Sequence, residues 1–260
     1  MLEFLFGVQR SDLPFLFNKN FESDGLRDAL ERRISGEPLQ YIIGQWEFYG
    51  LTFEVNPHCL CPRADTEIAV EKAIKILPPN AEFLELCTGS GCIPISVCKN
   101  REDVRGVATD IFEETLAIAK RNAERNGVDD RVRFVNSSVF DFDYWTQGEG
   151  RALVGDGFDA IISNPPYIPT EDIEDLSKEV KREPRAALDG GDDGLDFYRE
   201  IVGKYRALLK ENGVMIFEIG YDQAEALKAI SAEAGCACEI FKDFCENDRV
   251  AVVRQDLKRS

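Results

Sequence analysis

The stretch Phe83-Leu84-Glu85-Leu86-Cys87-Thr88-Gly89-Ser90-Gly91 decides the fold, because a short apolar run leads directly into a glycine-rich turn. The apolar half predicts a buried strand, and helical spacing over residues 92–100 follows the turn. Glycines let a backbone approach a ligand closely, and the start of the next helix offers free N–H groups. A plain tight turn between a strand and a helix would show the same pattern, so the cofactor interpretation needs further residues.

Alternating strands and helices continue beyond this unit. Further strands are predicted at 104–110, 132–135, 158–163 and 214–219. Helices are predicted at 112–126, from Gly194 to about Asn212-Gly213, and at 222–234, and two β stretches, 237–242 and 248–254, close the pattern. Such alternation predicts an α/β fold, with a mostly parallel sheet that carries helices on both faces.

The chain before this pattern is predicted to form two smaller pieces. Residues 1–45 are predicted to be a short helical region, in which Leu26, Ala29, Leu30 and Ile34 share one helix face. Ser23 or Asp24 can cap that helix, and Gly36-Glu37-Pro38 ends it. Residues 46–62 are predicted to contain a linking β-hairpin around Gly50, which leaves 63–260 as the main domain.

Composition narrows the classes of partner. The 260 residues include 31 basic and 48 acidic side chains, for a net charge of −17, which disfavours a nucleic-acid binder and equally fits a role in solubility. No apolar run approaches the roughly 20 residues of a membrane helix, and no targeting segment is recognisable. The eight cysteines form no C-x-x-C and His58 is the only histidine, so neither a metal site nor a disulfide framework is predicted. We therefore expect a cytoplasmic, monomeric protein without metal.

Polar residues at the ends of the predicted strands point to a nucleotide-type cofactor. Glu85 ends the first strand, where its carboxylate could meet a positive amino or sulfonium group, and Pro94 replaces the third glycine of a dinucleotide motif. Asp110 follows Gly91 by 19 positions, close to the roughly 20 at which a carboxylate binds ribose hydroxyls. Asp110 could also be the N-cap of the following helix. A methyl donor is favoured over a dinucleotide.

The tetrad Asn164-Pro165-Pro166-Tyr167 ends the fourth strand and predicts the acceptor. The prolines carry no N–H and hold the chain extended as it leaves the sheet, although an ordinary strand-ending turn could contain them. An amide or aromatic-amine nitrogen is a poor nucleophile, so a site must accept hydrogen bonds from its NH₂ group. The Asn164 side-chain oxygen and the Pro165 carbonyl can be those acceptors, and Tyr167 can stack on the flat group. This scheme relies on positioning and fixed dipoles and requires no strong general base.

These residues resemble the HemK/PrmC glutamine methyltransferases, which modify the Gly-Gly-Gln loop of peptide-chain release factors. The resemblance spans nearly the whole chain and includes, besides the glycine turn, Asp110 and the tetrad, the segments Gly36–Gly44, Phe48–Gly50, Pro62–Glu67, Glu183–Arg185, Leu188–Gly191, Asp193–Leu195 and Asn247–Arg249. It implies a Rossmann-like class I methyltransferase sheet, S-adenosylmethionine as cofactor and a release factor as substrate. The N-terminal region would help to dock that substrate.

The resemblance also implies roles for individual residues. Cofactor contacts are implied for Cys87, Thr88, Gly89, Ser90, Gly91, Asp110 and Asn164, with Val139 as an apolar wall of the adenine pocket. Glutamine contacts are implied for Asn164, Pro165, Pro166 and Tyr167, and positions near the mouth of the site for Arg63, Thr66 and Glu67.

The chain departs from the family pattern at a few positions. Cys87 stands where glycine is usual, Glu85 where aspartate is usual, Ser138 where an acidic residue is common and Ala64 where proline is frequent. The helical N-terminal region is also shorter than usual. Three alternatives stay open: glutamine methylation of a ribosomal protein, adenine methylation of nucleic acid, which the tetrad alone would also fit, and a scaffold that keeps the fold without turnover.

Overall fold

The protein is described by a computed structural model that covers residues 1–16 and 18–255, so residues 256–260 of the predicted main domain lie outside it. The helices in chain order are α1 (Leu2–Phe6), α2 (Asp24–Ile34), α3 (Leu39–Ile43), α4 (Glu67–Ile76), α5 (Cys92–Asn100), α6 (Glu113–Asn126), α7 (Asp143–Thr146), α8 (Arg151–Val154), α9 (Asp196–Lys204) and α10 (Ala224–Glu233). The strands are β1 (Gln45–Phe48), β2 (Leu51–Glu54), β3 (Glu82–Leu86), β4 (Arg105–Asp110), β5 (Val132–Asn136), β6 (Phe158–Ser163), β7 (Leu209–Glu218), β8 (Cys236–Lys242) and β9 (Asp248–Gln255).

The main sheet has the strand order β5-β4-β3-β6-β7-β9-β8. Strands β3 to β7 run parallel, whereas β9 pairs antiparallel with β7 and β8 pairs antiparallel with β9. The chain leaves β3 toward β4 and β5 on one side and returns to β6 on the other. Open α/β sheets bind ligands beside the carboxyl ends of strands at such a reversal, so the topology directs attention to the ends of β3, β4 and β6.

Side chains of the central strands alternate between two buried cores, one on each face of the sheet. Phe83 of β3 lies in the core formed with α4, α5 and α6, whereas Leu84 and Leu86 lie in the core formed with α9 and α10. β7 repeats the alternation, with Ile216 in the first core and Phe217 in the second. A strand buried on both faces reads as a continuous apolar run, which is why these strands were recognisable from sequence.

The predicted α/β fold is confirmed, and several predicted boundaries agree closely with the structure. Helix α6 ends at Gly127, which has φ 68° and donates its N–H to the Ala123 carbonyl, as expected for a C-cap. Its N-cap is Phe112, so Asp110 is not the cap of this helix.

The predicted end of the helix after Gly194 is wrong. Helix α9 ends at Lys204, a 3₁₀ turn covers Tyr205–Leu208, and β7 begins at Leu209. The segment Asn212-Gly213 lies in a bulge of β7, because Leu209 pairs with Phe158 while Val214 pairs with Ala160. An Asn-Gly pair suits both a helix end and a bulge, and pairing with a strand distant in sequence decided between them.

Helix α4 was not predicted, because the alternating pattern was taken to begin at about Leu77. In the structure α4 directly precedes β3 and buries Ile68, Ala69, Val70 and Ala73 in the first core. Its sequence is amphipathic, so the signal was present.

The N-terminal helix and the hairpin form where they were expected. Ser23 caps α2 by accepting the Leu26 N–H at 3.0 Å. Of the predicted apolar face, Ala29 is buried, but Leu30 and Ile34 are 44% and 84% exposed. Strands β1 and β2 pair antiparallel around Tyr49-Gly50, both of which have positive φ, as a two-residue hairpin turn requires.

Two further observations concern the predicted absences. Within residues 1–16 and 18–255, no helix is long and apolar enough to span a membrane. The same residues hold no cluster of three or more His, Cys, Asp or Glu side chains that could bind a metal ion, and no disulfide joins any of the cysteines among them.

Candidate active site

The glycine-rich turn joins the end of β3 to the start of α5. Gly89 and Gly91 have φ of 56° and 79°, the left-handed conformation that glycine adopts without strain. At Gly91 a Cβ atom would lie 2.9 Å from Ile95 Cδ1 and 3.2 Å from Ala119 Cβ. The second glycine therefore allows α5 and α6 to pack closely against the turn, which keeps the helix N-terminus open toward the cleft.

Cys87 also has a positive φ, 63°, although it carries a side chain. A glycine would adopt this conformation without strain. The Cys87 thiol is packed against the second core, and burial raises the pKa of the thiol far above its ordinary value. The side chain is therefore a small packing group in a strained backbone position and is not a nucleophile.

This conformation leads to a stability prediction. We expect Cys87→Gly to be more stable than Cys87→Ala by about 1 kcal/mol, because only glycine relieves the left-handed strain. Cys98 in the middle of α5 is the matched control, where the alanine variant should be the more stable by about 1 kcal/mol. Chemical unfolding of the four variants measures both differences, and the same order at both positions would contradict the strain at Cys87.

Glu85 holds the glycine-rich turn in place through a buried hydrogen bond. Its side chain is 1% exposed, and its Oε2 accepts a hydrogen bond from the Thr88 hydroxyl. Burial raises the pKa of this carboxyl well above its ordinary value, opposed by the Thr88 hydrogen bond and assisted by the nearby Asp110. Glu85 lines the cleft, but its hydrogen bond within the structure is to the turn itself.

Asp110, at the end of β4, ties two backbone segments together. Its Oδ2 accepts the Gly89 N–H at 3.1 Å, and its Oδ1 accepts the Phe112 N–H at 3.2 Å. A carboxylate oxygen can accept more than one hydrogen bond, so each oxygen keeps accepting capacity. Burial raises the pKa of Asp110, and the backbone hydrogen bonds oppose the rise. The carboxylate is thus held rigidly at the wall of the cleft with room for two hydroxyl donors.

Apolar side chains form the wall next to Asp110. Ile111, Phe112 and Phe140 line the cleft and remain 43–54% exposed. Val139 also lines the cleft but is 3% exposed, and its carbonyl accepts the Tyr205 hydroxyl at 2.9 Å, which fixes this segment. Exposed aromatic and aliphatic groups beside a carboxylate are the surroundings that an adenosine moiety requires.

The tetrad lies on the opposite side of the glycine turn. Ser163 at the end of β6 donates its hydroxyl to the Leu86 carbonyl at 2.8 Å, which joins the ends of the two central strands. Asn164 and Pro166 line the cleft, and Asn164 donates its side-chain N–H to Thr66 Oγ1 at 3.4 Å. Within the described residues no donor reaches the Asn164 side-chain oxygen or the Pro165 carbonyl.

Pro165 and Tyr167 are not among the residues that line the cleft. Tyr167 is partly buried against the second core, and its hydroxyl donates to Glu218 Oε1 at 3.4 Å. Its backbone carbonyl accepts the Gln223 amide at 2.9 Å. The sequence analysis did not identify Glu218 or Gln223 as part of the site, although Glu218 is a polar residue at a strand end, the same signal that singled out Asp110.

An ion pair between distant segments lies beside the cleft. Glu183 is buried, accepts the Cys61 N–H at 3.0 Å and pairs with Arg63, which lines the cleft. Burial raises the pKa of Glu183, and the Arg63 charge opposes the rise. Thr66 also lines the cleft, whereas Glu67 is directed elsewhere, since its carboxylate accepts the Tyr49 N–H at 2.7 Å.

The structure therefore brings most of the sequence-predicted residues into one cleft. Its empty space is about 980 Å³, including the part open to solvent, and pockets for drug-sized ligands span about 300–1,000 Å³. The predicted residues that line it are Arg63, Thr66, Glu85, Cys87, Thr88, Gly89, Ser90, Asp110, Ser138, Val139, Asn164 and Pro166. Gly91 lies directly behind this lining as the N-cap of α5.

Comparison with known proteins adds to this geometry. Models of a methyltransferase domain and of the PrmC N-terminal domain match residues 77–253 and 1–44. The chain is 41% identical to a release factor glutamine methyltransferase of Geobacter sulfurreducens, over 96% of this chain and 86% of that protein. It is 39% identical to one of Caulobacter vibrioides, over 97% and 86% of the two chains.

Two solved structures show the shared fold alone. The hMettl16 catalytic domain, in complex with MAT2A 3'UTR hairpin 1, has a TM-score of 0.64 at 15% identity, over 82% of this chain and 77% of that chain. A ribosomal protein L11 methylase from Lactobacillus delbrueckii subsp. bulgaricus has a TM-score of 0.52 at 19% identity, over 77% and 84%.

Proposed function

We infer that this chain, which belongs to the family of release factor glutamine methyltransferases, transfers a methyl group to the side-chain amide nitrogen of a release-factor glutamine. The observation that carries the chemistry is that one cleft holds both the Asp110 carboxylate and the Asn164 amide, on either side of the glycine turn. The Asp110 carboxylate suits the ribose hydroxyls of a nucleoside, and the Asn164 amide suits a planar NH₂ group. We propose the glutamine of a Gly-Gly-Gln sequence as the acceptor.

S-adenosylmethionine is the cofactor that fits these residues. The two oxygens of Asp110, each with one backbone donor, can accept the two ribose hydroxyls. The apolar wall of Ile111, Val139 and Phe140 can hold an adenine ring, and the turn from Cys87 to Gly91 can lie against the amino-acid end. When bound, this cofactor supplies an electrophilic sulfonium methyl group.

The residues of the tetrad would prepare the nucleophile. Asn164 Oδ1 and the Pro165 carbonyl, which accept no hydrogen bond from residues 1–16 or 18–255, would accept the two hydrogens of the glutamine amide. These hydrogen bonds hold the NH₂ group in one orientation. They also weaken delocalisation of the nitrogen lone pair into the amide carbonyl, so the nitrogen becomes a better nucleophile. Positioning and fixed dipoles of this kind can supply most of the reduction in barrier without a strong base. Tyr167 lies outside the lining of the cleft and donates its hydroxyl to Glu218, so its part would be to hold the segment that carries Asn164.

A protein substrate is supported by the surface next to the cleft. Arg33 of α2 forms an ion pair with Glu179, in the segment that continues to the cleft-lining residues Pro184 and Ala187. The exposed Leu30 and Ile34 are therefore on a helix joined to the mouth of the site. Apolar side chains and a net charge of −17 suit a protein better than a phosphate backbone. The monomeric state, the cytoplasmic location and the division of the chain at residues 45 and 62 stay predictions from the sequence.

A methyl-transfer assay tests the proposal. Purified protein with labelled S-adenosylmethionine should label a recombinant release factor, and mass mapping should locate the methyl group on the glutamine of its Gly-Gly-Gln loop. A release factor with that glutamine changed to alanine should take up no label.

The same assay separates the alternatives. Ribosomal proteins, DNA and RNA oligonucleotides are offered in parallel under identical conditions. If a ribosomal protein is labelled and the release factor is not, the proposed glutamine methylation stands but its substrate is the ribosomal protein. Label in nucleic acid alone would contradict the proposed function, and no transfer to any acceptor would favour a scaffold.

A further inference from the structure

A polar cluster surrounds the Asn164 side chain, and two of its members, Thr66 and Arg249, have no role in the mechanism above. It consists of Thr66, Asn164, Tyr167, Glu218 and Arg249, which come from four separate segments of the chain. We refer to these residues as the Thr66–Glu218 cluster. Thr66 and Glu218 are each 2% exposed, so both are buried, and the cluster meets the cleft at Thr66 and Asn164.

The side-chain amide of Asn164 can lie in either of two orientations, and the cluster can select one of them. The two ends of a side-chain amide have nearly the same shape, but only the oxygen end can accept a hydrogen bond from an acceptor NH₂ group. The structure has the nitrogen end directed to Thr66 Oγ1, with 3.4 Å between the two atoms. A contact of that length is weak alone, so the orientation of the amide depends on whether Thr66 can only accept or can also donate.

The Glu218 carboxylate determines what Thr66 can do. Its Oε1 accepts the Tyr167 hydroxyl, and its buried Oε2 accepts no hydrogen bond from residues 1–16 or 18–255. The Thr66 hydroxyl lowers the pKa of this carboxyl, and Oε2 is an open acceptor toward which its proton can be directed. A hydroxyl has one proton and rotates freely, so a proton directed at Glu218 leaves only lone pairs facing Asn164. A lone pair can pair with the Asn164 nitrogen and not with its oxygen.

We propose that Thr66 is a positioning residue whose hydroxyl, directed by the Glu218 carboxylate, holds the Asn164 amide with its oxygen toward the acceptor nitrogen. This inference rests on the proposed function, because it concerns the glutamine site of the same reaction. Thr66 ends a 3₁₀ turn in the segment Arg63–Glu67, which lies at the mouth of the cleft. The inference gives this segment a second role, in recognition of the acceptor.

A pH dependence follows from the same arrangement. Burial raises the pKa of Glu218 to about 6, opposed by the Thr66 hydroxyl, the Arg249 charge and the Tyr167 hydroxyl and assisted by Asp65. These groups face it from the 3₁₀ turn, β9 and the segment after β6, and the Tyr198 hydroxyl of α9 and the Cys92 thiol of α5 also lie near enough to interact with its charge. Below that pH the protonated carboxyl can donate to Thr66, which frees the Thr66 proton to donate to Asn164 Oδ1. The amide is then no longer held in the productive orientation, so kcat falls as the pH falls through about 6.

Two substitutions at Thr66 test the hydroxyl directly. Valine keeps the shape and removes the hydroxyl, whereas serine keeps the hydroxyl. For Thr66→Val we expect kcat on the release factor to fall by about 10-fold or more, the lower end for losing a polar contact that orients a reacting group. The KM for the release factor and the affinity for the product cofactor should change by less than about 3-fold, because Thr66 orients the reacting group and does not bind either ligand. Thr66→Ser should restore kcat to within about 3-fold of the wild-type value.

Glu218→Gln tests the second half of the proposal with a different readout. The wild-type kcat at saturating substrate should fall below about pH 6. The variant should lack this decrease, because glutamine does not titrate in that range. Circular dichroism at each pH separates a loss of turnover from a loss of fold.

The outcomes are distinct. A wild-type protein that methylates a release factor, together with a Thr66→Val variant of unchanged kcat, overturns this inference and leaves the proposed function intact. A Glu218→Gln variant that keeps the wild-type decrease below pH 6 overturns the role of Glu218. A wild-type protein inactive on every release factor overturns both the inference and the function on which it rests.

Discussion

Asn164→Ala should lower kcat for methylation of the release factor by about 10²-fold or more, the scale for removing one fixed polar contact to a reacting group. Asn164 lines the cleft, and its side-chain oxygen accepts no hydrogen bond from the part of the chain that the structure describes, so it can accept one from the acceptor amide. Alanine leaves the NH₂ group with the Pro165 carbonyl as its one acceptor. The loss should be in kcat, because the contact orients the nitrogen for attack.

Two variants serve as controls for this result. Asn164→Asp keeps an accepting oxygen and should lose less activity than the alanine variant. Asn100→Ala removes an exposed asparagine at the end of α5 that is away from the cleft, and should behave as wild type. Steady-state kinetics with saturating cofactor measure all three variants. Activity of Asn164→Ala within about 3-fold of wild type would exclude the proposed contact.

Asp110→Ala should weaken binding of S-adenosylmethionine by about 30-fold, which corresponds to two hydrogen bonds of about 1 kcal/mol each. The carboxylate accepts one backbone N–H at each oxygen and keeps capacity for two ribose hydroxyls. Its removal also releases Gly89 N–H and Phe112 N–H, which loosens the glycine turn. Both effects act on the cofactor side of the cleft, so kcat at saturating cofactor should change less than affinity.

Titration calorimetry with the cofactor measures this effect. Asp110→Asn, which keeps one accepting oxygen, should lie between the alanine variant and the wild type. Asp129→Ala is the matched control, because Asp129 is an exposed aspartate in the turn before β5. Unchanged affinity in a folded Asp110→Ala variant would remove this carboxylate from the cofactor site.

Local sequence was sufficient for the elements whose neighbours in the chain determine them. The strand from Phe83 to Leu86, the turn with Gly89 and Gly91, and the Gly127 end of α6 depend on nearby residues, and the structure agrees with each prediction. The placement of Asn212-Gly213 failed because a helix end and a strand bulge share that signal. Only the pairing of Leu209 with Phe158 selects the bulge.

The amino-acid sequence by itself determined the α/β fold, the family and the strand ends at which Glu85, Asp110 and Asn164 lie. Periodicity, glycine spacing and motifs are properties of contiguous residues, so they can be read without a structure. Only the tertiary structure decided that Asn164 donates to Thr66, that Glu183 pairs with Arg63, and that Tyr167 is turned toward Glu218. These contacts join segments far apart in sequence, and which side chain reaches which partner depends on how the sheet brings the strand ends together.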